Sequence, residues 1–105
     1  MQQVPRTPYV DVSAVPDDAF VLDVREPDEW AAGHVDGSLH VPMGQVQGRI
    51  ADIPNDRRLV VVCRSGGRSA RVTNFLRTQG YDAVNLAGGL KAWEASGRAL
   101  TGAVI

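Results

Sequence analysis

Thiols are nearly absent from this 105-residue chain, which contains one cysteine, Cys63. That scarcity excludes an internal disulfide, a CxxC redox pair and any multi-cysteine zinc site. Lysine is equally rare, one residue against ten arginines, and arginine is the cation suited to bidentate binding of oxyanions. Neither charge sign dominates: the formal net charge is −1, so no broad electrostatic footprint for nucleic acid or anionic lipid is present. No hydrophobic run approaches the roughly 20 residues that span a bilayer. The first residues, MQQVPRTPYVDVSAVP, hold no apolar core of a signal peptide, so the cytoplasm is the expected location. Repeats, low-complexity tracts and linkers are lacking as well. At 44% hydrophobic and 22% charged, the composition is that of one globular domain over 1–105. Its expected core covers about 8–98, with a tail over 99–105 that packs or frays.

What is present is an alternation of short apolar runs with helix-like segments. FVLDV (20–24) reads as a buried strand. EPDEWAAG follows as a short helix, with Pro27 in its first turn, Asp28 and Glu29 beside it and Gly33 as a stop. LHVP (39–42) is a brief strand ended by proline, and a helical turn is expected over 44–51. RLVVVC (58–63) carries the strongest strand signal, β-branched and apolar on both faces, as in the centre of a parallel sheet. The segment 69–80 is helical, with Val72, Phe75 and Leu76 on one face and Gly80 as its stop. AVNL (83–86) is a further strand, and GGLKAWEASG (88–97) a last helix with Leu90 and Trp93 inward. These elements predict an α/β fold, a three-layer α/β/α domain around a mostly parallel sheet of about five strands.

Cys63 ends the most central strand, and ligands of open α/β sheets bind at the carboxyl ends of strands. The residues after it, Arg64, Ser65, Gly66, Gly67 and Arg68, include two glycines that let the backbone curl tightly before Ser69 opens a helix. Such a loop turns successive N–H groups inward as an anion-binding nest, aided by the helix N-terminus. Amides and flanking guanidinium groups of this kind lower a cysteine pKa from about 8.5 into the range ~3.5–7.5. A lone cysteine is ordinarily a small, inert core residue. Here the glycine pair, the arginines and the strand-to-helix position favour a reactive thiolate nucleophile instead.

Loop length bears on the substrate. Thiolate-using phosphatases carry a Cys-x5-Arg loop whose arc accommodates a phosphate. In this chain four residues separate Cys63 from Arg68, and Ser69 stands where the phosphatase arginine would be. The smaller cradle suits one extra sulfur atom on the cysteine. The loop CRSGGRS is similar to the Cys-Arg-x-Gly-x-Arg signature of the single-domain rhodaneses. LDVREPDEWAAGHVDGSLHVP (22–42) resembles that family's N-terminal motif, and NLAGGLKAWEASG (85–97) its Gly-Gly-x-x-Ala-Trp pattern. Three motifs in the family's order and spacing cover nearly the whole chain.

The resemblance implies a sulfurtransferase working through a Cys63 persulfide, loaded from thiosulfate or a similar donor and emptied by cyanide or a thiol. In it, the N–H groups of residues 64–69 would stabilise the persulfide, while Arg64 and Arg68 would orient the donor's oxyanion end. No metal or organic cofactor is expected, and neither a nucleic acid nor a membrane is an expected partner. A sulfur-accepting protein is an alternative acceptor; the chain has no second thiol, so the acceptor is external in either case. A phosphatase or arsenate reductase on the same loop architecture, and a non-catalytic binding domain, are the competing readings. The resemblance also gives Asp23 and Arg25 a role bracing the loop by hydrogen bonds; otherwise they form a strand-end surface pair worth about 0–1 kcal/mol. His34 and His40 lack ligand spacing and read as structural, Trp30 and Trp93 as core residues, and Gly88 and Gly89 as a turn into the last helix.

Overall fold

The computed structural model describes residues 6–105. At its centre runs the β-branched strand that the hydrophobicity pattern singles out, with a parallel neighbour on each side. In chain order the elements are β1 (Tyr9–Val10), β2 (Phe20–Asp23), α1 (Pro27–Ala32), β3 (Gly33–His34) and β4 (Leu39–His40). After them come β5 (Leu59–Val62), α2 (Gly67–Thr78), β6 (Ala83–Leu86), α3 (Gly89–Ala95) and β7 (Thr101–Gly102). The main sheet has five strands in the order β1-β6-β5-β2-β4, and every pairing in it is parallel. An α/β domain with a parallel five-stranded sheet is therefore the observed architecture, as the sequence predicts.

A parallel sheet has to be covered on both faces, and β5 shows how the alternation of side chains achieves this. Leu59, Val61 and Cys63 point into one apolar cluster with Leu22, Val72 and Leu76, under α2. Val60 and Val62 point into the other, with Val21, Leu86, Leu90 and Trp93, under α3. The cysteine thus emerges from the α2-side core at the carboxyl end of the central strand. Register places Asp23 opposite both Val62 and His40, so the polar ends of β2 and β4 lie at that same rim.

Three features differ from the expectation, and a fourth decides between its two alternatives for the tail. The fifth strand of the main sheet is β1, a two-residue edge strand that no sequence pattern marks. Helix α2 begins two residues before 69, because Gly66 turns the chain at φ +112°, a conformation that favours glycine. The expected turn over 44–51 is two 3-10 turns, Met43–Gln45 and Ile50–Asp52. The tail packs: β7 pairs antiparallel with β3, Val104 is buried, and the Val104 N–H donates to Glu94 Oε2 at 2.9 Å. Among the described residues no helix is long and apolar enough to cross a membrane.

Candidate active site

Cys63 is 1% exposed, and its Sγ lies at the focus of a short loop. The Gly66 N–H donates to it at 3.1 Å and the Ser69 hydroxyl at 3.2 Å. Burial is the largest single influence on the thiol and pushes its pKa up. Against it act the Ser69 hydroxyl and the backbone amides of Ser69, Gly66 and Ser65, which favour the thiolate. Together they outweigh burial, and the pKa falls below the ordinary thiol value. Ser65 and Gly67 are exposed at the mouth of the loop, while Gly66 and Ser69 are buried beside the sulfur.

The loop keeps this shape because β6 and α3 hold its carbonyls. The Asn85 side-chain amide donates to Gly66 O at 3.0 Å. From the first turn of α3, the Leu90 N–H donates to Cys63 O at 2.8 Å and the Lys91 N–H to Arg64 O at 3.0 Å. Such close approach requires Gly89: a Cβ there would stand 2.6 Å from Arg64 O, and its φ is +62°. The Gly88-Gly89 turn therefore delivers helix amides to the cysteine loop, leaving the loop's own N–H groups directed at the sulfur. Asn85 escaped the sequence reading, where it is one residue of a short strand. The available signal was an amide side chain in the middle of an apolar run.

The two arginines expected to orient a donor are both engaged within the chain. Arg64 is exposed, and its Nε donates to the Ile105 main-chain oxygen at 2.8 Å. Arg68 makes a two-pronged bond to the Glu29 carboxylate of α1, at 2.6 and 2.8 Å. Hydrogen bonding from Arg68 is the main reason that the Glu29 carboxyl is held down to about 2, with burial opposing it and the Glu26 N–H adding to it. The same pairing raises Arg68 above its usual value, and the charge of Cys63 contributes in the same direction. The sequence marks Glu29 as a first-turn acid of α1 inside the resembled N-terminal motif, and it does close a capping box with Glu26. Its second partner is 39 residues away in the chain.

Asp23 and Arg25 are not a surface pair: both are 0% exposed. Arg25 Nη2 donates to Asp23 Oδ2 at 2.8 Å and to Gly33 O at 2.6 Å, and Nη1 donates to Glu29 O at 3.2 Å. Among the described residues the Asp23 carboxylate bonds to Arg25 rather than to the cysteine loop. Its structural connection to the loop runs through α1, which Arg25 fastens and which carries Glu29. Trp30 is also corrected. It is half-buried and stacks between His34, 3.7 Å between ring centres, and His40, 4.7 Å. Both histidines bond to backbone oxygens, His34 Nδ1 at Trp30 O and His40 Nε2 at Arg25 O. A cleft of about 330 Å³ near Val21, Val35, Trp93 and Arg98 includes none of the loop residues.

The α/β domain thus holds, at the carboxyl rim of its parallel sheet, a buried thiol that accepts an amide and a hydroxyl hydrogen bond and whose pKa is lowered. Residues 11–96 match the Rhodanese-like domain family. A sulfurtransferase of Allochromatium vinosum is 42% identical over 82 residues, 77% of each chain. The thiosulfate sulfurtransferase GlpE of Pseudomonas aeruginosa is 38% identical over 76 residues, covering 71% of this chain and 69% of that one. Among solved structures, a rhodanese-related protein from Thermoplasma volcanium superposes with a TM-score of 0.85 at 27% identity, over 90% of this chain and 97% of its own. This chain belongs to the rhodanese-like domain family.

Proposed function

We propose that this chain is a sulfurtransferase in which Cys63 carries the sulfur as a persulfide. The observation that carries the reading is the convergence of the Gly66 N–H and the Ser69 hydroxyl on Sγ. Groups that favour a thiolate also favour the anionic outer sulfur of a persulfide. With thiosulfate as donor, the Cys63 thiolate attacks the outer sulfane sulfur. A new S–S bond forms, the donor's S–S bond breaks, and its electron pair leaves with sulfite. The nucleophilic acceptor, cyanide or a thiolate, then attacks the outer sulfur of the persulfide. Thiocyanate or an acceptor persulfide departs and the Cys63 thiolate returns. One difficult transfer becomes two easier ones. The loop residues Arg64, Ser65, Gly66, Gly67, Arg68 and Ser69 bind the donor in this reading, and Asp23 and Arg25 support them. Intact-mass measurement after incubation with thiosulfate tests it: Cys63 gains one sulfur atom, cyanide removes it, and Cys63→Ser gains none. Sulfur on the Cys63→Ser protein would overturn the assignment.

A second reading is delivery of the sulfur to a partner protein, with thiosulfate:cyanide turnover incidental. The sole thiol, Cys63, makes the acceptor external in either reading, and similarity to a putative sulfur carrier protein of Bacillus subtilis, 32% identical over 74 residues, favours this one. Comparing transfer from the loaded protein to cyanide, to small thiols and to cysteine-bearing proteins separates the two readings.

A further inference from the structure

Arginine binds oxyanions best through two parallel N–H···O bonds, and Arg68 already makes both of them to Glu29. This pair differs from an ordinary surface ion pair. The Glu29 side chain is 14% exposed, and its Oε1 also accepts the Glu26 N–H at 3.0 Å. Helix α1 beneath it is fastened by the unexposed Arg25 through Glu29 O and Gly33 O. Arg68 directly precedes Ser69, whose hydroxyl donates to Cys63 Sγ at 3.2 Å, so its charge lies on the loop that surrounds the sulfur. Glu29 thus neutralises a guanidinium of the cysteine loop and fills its oxyanion-binding edge.

We propose that Glu29 is a specificity-determining residue, an internal carboxylate that biases Cys63 against multiply charged donors and towards persulfides of small neutral thiols. This inference rests on the sulfur-transfer reading above. With thiosulfate, two negative charges enter beside Glu29 and both depart on sulfite. With a neutral-thiol persulfide, RS–SH, the Cys63 thiolate bonds to the outer sulfur, the RS–S bond breaks and one charge departs on RS⁻. The second route asks less of Arg68. Glu29 acts on it only through charge and through its hold on that arginine.

Alkylation of Cys63 by iodoacetate and by iodoacetamide, reagents of similar size and different charge, reads this bias without any sulfur chemistry. In Glu29→Gln the iodoacetate-to-iodoacetamide rate ratio rises about tenfold, and in Arg68→Gln it falls by a similar factor. Partial unfolding would drive both variants to one common ratio, so opposite signs identify the charge effect. A ratio in Glu29→Gln that stays within twofold of the parent, or falls, overturns the proposal. Sulfur loading from thiosulfate and from the persulfide of 2-mercaptoethanol is measured in parallel, and the thiosulfate preference is expected to rise in Glu29→Gln. If the alkylation ratios shift as expected but no donor loads Cys63, the sulfur-transfer reading fails and the charge role stands. If Cys63 loads and neither ratio moves, the specificity inference fails alone.

Discussion

Asn85 and Cys63 approach the same residue from opposite sides: Asn85 Nδ2 donates to Gly66 O, and Gly66 N donates to Cys63 Sγ. A buried side chain of β6 therefore fixes the backbone unit that stabilises the thiolate, although it does not hydrogen-bond to the sulfur. Asn85→Ala removes one of the two hydrogen bonds to the Gly66 carbonyl, which keeps the Ala70 N–H at 3.1 Å, at a cost of about 0.5–1.5 kcal/mol in stability. With the loop loosened, the thiol titrates at higher pH. The rate of iodoacetamide alkylation against pH is the measurement, and an unshifted profile would show that Asn85 supports the fold alone.

Ser69→Ala removes the only side-chain hydroxyl that donates to the sulfur among the described residues. Because the folded thiol pKa is depressed, the mutation moves it upward and leaves less thiolate near neutrality. Alkylation at pH 7 is expected to slow about tenfold, the worth of one hydrogen bond to a charged group, and to recover at alkaline pH. Equal slowing at every pH would point to a steric effect.

Two adjacent-looking glycine changes should have opposite outcomes. Gly89→Ala places a Cβ 2.6 Å from Arg64 O at positive φ, so the loop has to move, costing roughly 2–4 kcal/mol. Gly67→Ala meets nothing within 4 Å, in the first turn of α2 at an ordinary φ, and stabilises by about 0.4–1 kcal/mol. Urea denaturation of the two variants beside the parent checks both signs.

The Glu29 carboxyl, held down to about 2 from an ordinary value of 4.5, contributes stability that is fully present above 4.5. That contribution is lost as pH falls through the window between those two values. Glu29→Gln removes the acid-sensitive part, so its stability falls less steeply with acidification across the same window. Chemical denaturation at pH steps from 6 to about 2.5 reveals the difference in slope.

Arg25→Ala leaves Asp23 as a buried charge without its partner, and losses of that kind cost about 3–5 kcal/mol. It also frees the carbonyls of Glu29 and Gly33 that hold α1 in place. Thermal unfolding by circular dichroism is expected to show a lowered midpoint. A loss below 1 kcal/mol would mean that the buried pair holds the fold no more firmly than a surface pair does.

The strand and helix sequence was legible wherever the chain itself carries the pattern. Leu59–Val62 is a continuous apolar run, Ala83–Leu86 is one interrupted only by Asn85, and Val72 and Leu76 share a helical face that is buried. The cysteine loop was legible for the same reason, since Cys63 to Ser69 is one contiguous segment. Pairings made only by tertiary approach were not. Tyr9–Val10 and the β3–β7 ribbon are two-residue strands, too short to show a period. Glu29 meets Arg68, and Asn85 meets Gly66, across 39 and 19 residues, and no local spacing encodes either meeting. Trp30 has inward helical spacing, yet stacks with two imidazoles because His34 and His40 come from elements that follow α1.

The amides of Leu90 and Lys91 hang on the carbonyls of Cys63 and Arg64. They are therefore natural spectroscopic reporters. Any chemical change on the sulfur that shifts the loop backbone is expected to move two amide resonances on a helix that begins 26 residues further along the chain, at Gly89. Modification of Cys63 can be followed from there, in real time and without a label on the sulfur.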